Sequence, residues 1–330
     1  MKRIITLLLA FMLVFTVVNV LAAEDFVTVY APDGRELSIP SKELEAYENV
    51  GWYRSKSDVQ KTMYAPDGRE IVIYKAEIEA YKNVGWFEDK ADVTALMCAP
   101  DGRQITVFKS EVQAYKNVGW YLAQSDKIDP AKPMIALTFD DGPMPASTDR
   151  ILNVLDLYNA RATFFVVGSM ASQAPDMLKK MDSIDCQIGN HTYWHPDLSC
   201  LSWGGIVSEL NTTAQVVFDA VGKYPQLLRP PYGSGNATVL YAAGMPSILW
   251  SIDTNDWRYR DAWHVINTIM WNVKDGDIIL MHDIYGSTAS AVENVVPRLI
   301  DMGFQLVTVE ELARYKNIPL NNNTSYYSIR

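Results

Sequence analysis

The residues best suited to chemistry in this chain are an acidic pair and a pair of histidines. Asp140 and Asp141 end an apolar run and precede Gly-Pro. His191 and His195 lie four positions apart in a segment that Pro196 prevents from being a regular helix. A carboxylate and two neutral imidazoles form the ligand set of an open, catalytic divalent metal site. The alternative for the acids alone is a solvated Asp-Asp-Gly turn.

Three further polar segments follow other apolar runs. They are the rigid turn Leu228 to Gly233, the acidic segment Asp253 to Trp257, and Leu280 to Asp283, which carries a histidine. Each comes directly after a candidate strand. Because the carboxyl ends of parallel strands meet at one edge of a sheet, we expect these side chains to lie close together.

The elements that must position these residues are short apolar runs alternating with longer amphipathic ones. This alternation implies a parallel sheet in an α/β fold, and a closed or nearly closed (β/α) barrel is the economical arrangement. The candidate strands are 134–139, 162–167, 187–189, 227–229, 247–252, 277–281 and 305–309, and the clearest candidate helices are 204–221, 263–273 and 291–302.

The region before these strands repeats itself every 34 residues. Ala-Pro-Asp-Gly-Arg begins at positions 31, 65 and 99, and Asn-Val-Gly-Trp begins at positions 49, 83 and 117. The first motif predicts a β-hairpin, and the apolar residues that follow predict a short helix ended by glycine. We expect three small ββα-like units that share a core through their tryptophans and tyrosines. The alternative for these aromatic residues is a sugar-stacking surface that holds the protein on a glycan.

The first 23 residues differ from the rest in composition. Lys2 and Arg3 precede an apolar run over residues 4–21, which is typical of a signal peptide and also long enough for a membrane anchor. We therefore expect an exported protein that is secreted, wall-associated or tethered to the outer face of the cytoplasmic membrane. The predicted order is a signal peptide or anchor (1–23), the repeats (24–125), a linker (126–133) and a catalytic domain (134–330).

Composition and cysteine content limit the partners and the covalent bonds. The chain has 330 residues, of which 48% are hydrophobic, and a formal net charge of -10. Such an acidic globular protein is not a nucleic-acid binder, because it cannot neutralise phosphates. Of the three cysteines, Cys186 and Cys200 bracket the histidine segment, and a disulfide between them would stiffen it.

The five polar segments, in this order, resemble the signature of the polysaccharide deacetylase family, carbohydrate esterase family 4. The resemblance covers residues 134–312 and implies a distorted (β/α) barrel of seven or eight strands. It also implies hydrolysis of N-acetyl groups on a polysaccharide containing N-acetylglucosamine, with cell-wall peptidoglycan as the expected substrate. The alternatives are a deacetylase of chitin or chitooligosaccharides, an acetylxylan esterase, and a non-catalytic glycan-binding protein.

The same resemblance implies roles for the residues around the metal. Asp141, His191 and His195 would hold one divalent ion, for which zinc is expected and cobalt, nickel and iron are alternatives. Asp140 would be the general base that takes the proton from water. Arg229 would orient that base.

The resemblance further implies an acid and a pocket. His282 would be the general acid that protonates the leaving amine, and Asp256 would keep its imidazolium form populated, since a nearby negative charge favours the charged histidine. The backbone N–H of Tyr232 would stabilise the developing oxyanion. Trp257 and Leu280 would form walls of the pocket for the acetyl group and the sugar.

Overall fold

The computed structural model of the protein describes residues 25–99, 101–125 and 128–330, so the predicted signal segment lies outside the described residues. The chain divides into two compact units, Met1–Asp92 and Val93–Arg330. This division lies between the second and third repeats, whereas the sequence placed a boundary at the linker 126–133. Within the described ranges, every helix is too short or too polar to span a membrane.

The first unit contains two repeats, and each folds as an antiparallel hairpin followed by a short helix. Gly34 ends the first hairpin turn at φ +87°, a backbone conformation that favours glycine. The elements are β1 (Phe26–Tyr30), β2 (Glu36–Pro40), α1 (Leu44–Asn49), β3 (Gln60–Tyr64), β4 (Glu70–Tyr74) and α2 (Ile78–Asn83).

The tryptophan of each of these repeats packs edge-on against a tyrosine of the same repeat. The ring centroids of Tyr47 and Trp52 are 5.7 Å apart, and those of Tyr81 and Trp86 are 5.8 Å apart. The first hairpin turn contacts the second repeat at Gly34, where the ring of Tyr74 fills the space beside the glycine. Each of these two aromatic pairs therefore lies within a single repeat.

The third repeat belongs physically to the second unit. Gln104 Nε2 donates a hydrogen bond to the carbonyl oxygen of Leu157 at 2.7 Å, and the Gln124 side chain exchanges hydrogen bonds with the backbone of Leu306. Cys98 is fully buried in the main hydrophobic core. The elements of this repeat are β5 (Thr94–Cys98), β6 (Gln104–Phe108), α3 (Val112–Asn117) and β7 (Tyr121–Leu122), and β5 pairs with both β6 and β7.

The rest of the second unit is built on a parallel sheet with helices packed against it. The strands are β8 (Met134–Asp140), β9 (Thr163–Val166), β10 (Gln187–Asn190), β11 (Ser247–Ile248), β12 (Ile252–Asp253), β13 (Ile278–His282), β14 (Gln305–Leu306) and β15 (Ser325–Tyr326). The helices are α4 (Pro145–Leu157), α5 (Gly168–Gln173), α6 (Pro175–Ser183), α7 (Trp203–Val221), α8 (Ala237–Ala243), α9 (Asp256–Tyr259), α10 (Ala262–Asn272), α11 (Gly286–Asp301) and α12 (Val309–Tyr315).

The predicted parallel sheet is confirmed, and its order is β12-β13-β8-β9-β10, with β14 also pairing with β8. Parallel bridges from Asn190 to Leu228 and from Leu228 to Ser247 carry the pairing beyond β10. Among the described residues, no ladder joins the two ends of this series into a closed barrel. Central strand β8 is buried along its whole length, as expected for a sheet covered on both faces.

Three predicted strands are much shorter than their apolar runs, and the run 305–309 is a strand only over β14, since Val309 already begins α12. Of the run 227–229, only Leu228 bridges its neighbours, and the run 247–252 divides into β11 and β12. The run 247–252 is interrupted beside Arg229, whose buried guanidinium donates hydrogen bonds to the carbonyl oxygens of Ile248 and Leu249. The segment between β11 and β12 thus uses backbone carbonyl oxygens to bind the buried Arg229 guanidinium as well as pairing in the sheet.

Candidate functional site

The register of two central strands brings two of the predicted site residues together. Strand β13 pairs with β8 so that His282 lies opposite Asp140, and both residues end their strands. In this parallel arrangement the two side chains emerge at the same edge of the sheet. Residues 142 positions apart in sequence thereby become neighbours.

Asp140 is held by a buried arginine. Arg229 is fully buried, and its Nη1 donates to Asp140 Oδ1 at 2.8 Å and to Thr138 Oγ1 at 2.7 Å. Thr138 and Asp140 are two apart on one strand, so they share a face of the sheet. Since its bonds to Ile248 and Leu249 fix the other guanidinium nitrogens, Arg229 holds the Asp140 carboxylate in a single orientation.

Asp141 turns away from its neighbour and joins the two histidines. Its backbone adopts φ 74°, which takes it off the path of the strand. Asp141 Oδ1 lies 3.4 Å from His191 Nε2 and 3.2 Å from His195 Nε2. Burial opposes ionisation of this carboxyl, but the two adjacent imidazoles outweigh it and hold the pKa of Asp141 well below its usual range.

These three residues fit a divalent cation. One ligand atom from each lies within 4.8 Å of the others. Asp141 Oδ1 is buried and has no hydrogen-bond partner among the described residues, as expected for an oxygen that coordinates a cation. His191 Nδ1 lies 2.6 Å from the Arg229 carbonyl oxygen, so it carries the proton and leaves Nε2 free as the ligand atom.

The histidine segment is ordered by a residue that lies outside every sequence motif. Glu209, on α7, accepts hydrogen bonds from the backbone N–H groups of Tyr193 and Trp194, each at 2.8 Å. Asn190 Oδ1 accepts from the backbone N–H of Thr192. Glu209 lies within an amphipathic helix and outside every motif, so no local pattern distinguishes it from a surface glutamate.

His282 forms an ion pair with Asp256. His282 Nδ1 lies 2.7 Å from Asp256 Oδ1, and Asp256 is fully buried. The second carboxylate oxygen accepts from the His282 backbone N–H and from Thr288 Oγ1. Burial alone would lower the pKa of His282, but the hydrogen bond and charge of Asp256 raise it to about 9.

A single cavity of ≈ 450 Å³ joins these groups. Tyr232, whose backbone has φ 62°, packs its ring edge-on against His195 with centroids 4.8 Å apart. Sequence reasoning missed Trp250 and Tyr285, since neither belongs to a motif. The lining residues are Asp140, Asp141, His191, His195, Tyr232, Gly233, Trp250, Asp253, Trp257, Leu280, His282 and Tyr285.

The turn after β8 rests on another buried acid. Asp283 is 1% exposed, its Oδ2 lies 2.5 Å from Thr148 Oγ1, and its carboxylate fills the space beside Gly142. Burial and the nearby charge of Asp141 raise the pKa of Asp283 to about 7, against a hydrogen bond from Thr148 that lowers it. Asp283 therefore supports the turn that carries Asp141.

The disulfide considered around the histidine segment is not formed. Cys98, Cys186 and Cys200 are free thiols, with Cys186 buried and Cys200 exposed. Burial raises the pKa of Cys186 to about 12, so this thiol stays protonated and unreactive. The hydrogen bonds of Glu209 and Asn190 order the segment in place of a covalent bridge.

The fold and site together define a class: α/β proteins with a candidate cation site, lined by histidines and a carboxylate, at the carboxyl edge of a parallel sheet. Comparisons with known proteins identify the family. The polysaccharide deacetylase model matches residues 127–245. Peptidoglycan-N-acetylglucosamine deacetylase PgdA of Listeria monocytogenes serotype 1/2a (strain 10403S) is 40% identical over 178 residues, covering 54% of this chain and 38% of that protein.

Two further relatives are covered almost completely. A peptidoglycan-N-acetylglucosamine deacetylase of Bacillus cereus is 36% identical over 192 residues, covering 56% of this chain and 90% of that protein. The structure of a family 4 acetyl xylan esterase from Clostridium thermocellum, solved with a cobalt ion, has a TM-score of 0.57 at 30% identity and covers 59% of this chain and 98% of that chain. The chain belongs to the polysaccharide deacetylase family. It spans 38% of the length of the Listeria relative.

Proposed function

We propose that this protein hydrolyses the N-acetyl groups of peptidoglycan, releasing acetate and leaving free amines on the glycan. The observation that carries the proposal is that one cavity holds three candidate cation ligands, a carboxylate fixed by a buried arginine, and a histidine paired with a buried carboxylate. Two relatives at 36% and 40% identity bear the name peptidoglycan-N-acetylglucosamine deacetylase, which supports the choice of polymer.

Asp141, His191 and His195 would hold the divalent cation. We propose zinc, because two imidazole nitrogens and one carboxylate oxygen suit it, and the same ligands accept cobalt, nickel or iron. When bound, the cation supplies Lewis acidity that makes water a better nucleophile and polarises the acetyl carbonyl. The hydrogen bond of His191 Nδ1 to the Arg229 carbonyl would keep the imidazole oriented for this task.

Asp140 would act as the general base. Arg229 occupies its Oδ1, so Oδ2 remains to accept the proton of an attacking water in the cavity. The 3.8 Å distance between Asp140 Oδ2 and His191 Nε2 places that oxygen next to the cation ligands. The two neighbouring aspartates thus take different roles because the backbone turns between them.

His282 would act as the general acid. An amine is a poor leaving group until it is protonated, so amide hydrolysis needs an acid that carries its proton at neutral pH. Asp256 keeps His282 in that form, with its pKa raised to about 9. The leaving group of an ester is an alkoxide or alcohol, which depends less on protonation by a histidine–carboxylate pair. This geometry therefore favours hydrolysis of an amide over the acetylxylan alternative.

Three residues would complete the pocket. The backbone N–H of Tyr232 would stabilise the oxyanion that develops on the acetyl oxygen. Leu280, which is 4% exposed, and Trp257, which is 47% exposed, line the cavity and would contact the acetyl methyl group and the sugar face. The exposed indole suits a substrate that is a long polymer rather than an enclosed small molecule.

This function requires export, because peptidoglycan lies outside the cytoplasmic membrane. The apolar segment 4–21 that follows Lys2 and Arg3 is suited to direct export, either as a cleaved signal or as a retained anchor. We propose that the repeats hold the enzyme on the wall.

The test is acetate release from peptidoglycan, chitooligosaccharides and acetylxylan by the zinc-loaded protein and by the same protein after chelation. We expect release from peptidoglycan that chelation abolishes and zinc restores. Release from acetylxylan alone would reassign the protein to the esterases. No release from any of the three would favour a glycan-binding protein without catalysis.

Two substitutions separate the roles of the acidic pair and the histidines. We expect Asp140→Asn to lower turnover by about a thousandfold while zinc stays bound, because it removes the base and keeps the ligands. His191→Ala should lose both zinc and turnover. Metal content measured by atomic emission, together with the rates, distinguishes loss of the base from loss of a ligand. Zinc loss in Asp140→Asn would mean that the two aspartates have the opposite roles.

A further inference from the structure

An arginine outside every motif stands at the rim of the cavity. Arg260 is exposed, and its guanidinium carbon lies 3.7 Å from the ring centroid of Tyr285, which lines the cavity. Arg260 Nε donates to the carbonyl oxygen of Trp257, another lining residue, at 2.8 Å. The guanidinium is therefore stacked on one wall of the cavity and hydrogen-bonded to the other.

The helix that carries Arg260 is fixed to the catalytic groups. Helix α9 begins at Asp256, whose carboxylate accepts hydrogen bonds from His282, Thr288 and the Trp257 backbone N–H. Arg260 ends the helix in the left-handed conformation, at φ 51°, with its N–H bonded to the Asp256 carbonyl. A non-glycine residue in this conformation carries strain, and such residues cluster at ligand sites.

The outer part of the guanidinium is left for a ligand. Among the described residues, Arg260 makes no ion pair, and the only hydrogen bond of its side chain uses Nε, so its two terminal nitrogens remain available. This is notable in a chain with a formal net charge of -10, where acidic partners are plentiful. An arginine held on a flat ring with its terminal N–H groups free is preorganised to bind a carboxylate in two-point fashion.

The position of Arg260 sets how far the carboxylate would lie from the reacting sugar. The ring centroids of His282 and Tyr285 are 6.0 Å apart, and the Arg260 guanidinium carbon lies 3.7 Å from the Tyr285 centroid. The guanidinium is thus no farther from the candidate acid than about the length of one disaccharide. A group on the reacting sugar or its immediate neighbour can reach it.

We propose that Arg260 forms a carboxylate-binding subsite, so that the preferred substrate is a glycan that carries a carboxylate on or beside the N-acetylated sugar. The inference rests on the proposed deacetylase function and narrows its substrate. It predicts that the protein prefers an acidic glycan over neutral polymers such as chitin. In peptidoglycan the carboxylate has two sources: the lactyl ether of the sugar once the peptide is removed, or the peptide itself while it is attached.

The experiment compares acetate release from three substrates by the full, zinc-loaded protein: peptide-free glycan strands, glycan strands with their peptides, and neutral chitotetraose. We expect Arg260→Ala to raise KM on an acidic substrate about fivefold, since a charge-assisted contact at an exposed rim is worth little more. KM on chitotetraose should not change. Arg260→Lys should lie between, because lysine keeps the charge but not the planar stack.

The two sources of carboxylate give different patterns. A KM effect limited to peptide-free strands assigns the lactyl carboxylate, and an effect limited to peptide-bearing strands assigns the peptide. Arg258→Ala is the matched control, because Arg258 lies over Tyr259, which is not a lining residue, with its guanidinium carbon 5.5 Å from the ring centroid. It removes the same charge from the same helix and should leave all three KM values unchanged.

Equal KM effects of Arg260→Ala on chitotetraose and on both acidic glycans would overturn the proposal, as would no effect on any substrate or equal effects in the Arg258→Ala control. Binding measured in the Asp140→Asn background keeps this test separate from the proposed reaction. There, Arg260→Ala should weaken binding of the acidic glycan about fivefold whether or not the wild-type protein releases acetate. Unchanged affinity would reject the subsite even if deacetylation is observed.

Discussion

The hydrogen bond between Asp256 and His282 sets the pH range in which this protein can protonate a leaving group. His282 is partly buried, with a side chain 13% exposed, and burial alone would lower its pKa. The hydrogen bond and charge of Asp256, with smaller contributions from the charges of Asp140 and Asp141, reverse this and raise the pKa from 6.5 to about 9. A raised pKa means that the imidazolium persists at neutral pH and is lost as the pH rises through about 9.

Replacing Asp256 by asparagine removes the charge and preserves the shape of the side chain. The present shift corresponds to about 3 kcal/mol in favour of the imidazolium. Without the Asp256 carboxylate, the burial of His282 remains, and the pKa of His282 should fall to 6.5 or lower. At pH 8 the protonated fraction would then be about 3%, so we expect kcat/KM on peptidoglycan to fall at least about 30-fold.

The same shift links the pair to stability. Because the folded protein holds the His282 proton more tightly than the unfolded chain, the stabilisation is complete below pH 6.5 and disappears as the pH rises through about 9. Asp256→Asn should therefore lower the free energy of unfolding at pH 6 and change it little at pH 10. Denaturant titrations at the two pH values measure this difference.

The assay for the acid is the pH profile of kcat/KM, together with NMR titration of the imidazoles in the zinc-free protein. The alkaline limb should move from about pH 9 in the wild-type protein to below pH 7 in Asp256→Asn. Thr288→Val is the control, because it removes one hydrogen bond from Asp256 but keeps the charge. An alkaline limb that stays near pH 9 in Asp256→Asn would refute this assignment of the acid.

Two further predictions concern the turn after β8 and the third repeat. Gly142→Ala should weaken zinc binding in equilibrium competition with a chelator, because a Cβ there would lie 2.1 Å from the Asp283 carboxylate. Gly204→Ala is the control and should leave zinc binding unchanged, because a Cβ there would have no other atom within 4 Å. A chain that begins at Val93 should keep its Tm and its turnover of soluble oligomers but bind insoluble wall more weakly. A chain that begins at residue 128 should unfold at a lower Tm, because Cys98 and Ala123 leave the core; equal Tm values would contradict this account of the third repeat.

The sequence by itself determined the family and the residues that gather at the site, because the family motifs are local. Each motif follows an apolar run that becomes a strand, and parallel strands deliver their carboxyl ends to one edge. The family resemblance is confirmed by the comparisons. Asp141, His191 and His195 are brought together by the fold as the sequence predicted.

Tertiary structure alone decided how these residues are held. The register of β13 on β8 sets His282 opposite Asp140, and the buried guanidinium of Arg229 interrupts the apolar run that sequence reasoning took as one strand. Glu209 and Arg260 lie outside every motif, and the contacts that distinguish them are made with residues distant in the chain. The third repeat resembles the first two in sequence, yet it shares its core with the second unit, because burial depends on what an apolar face meets and not on the face alone.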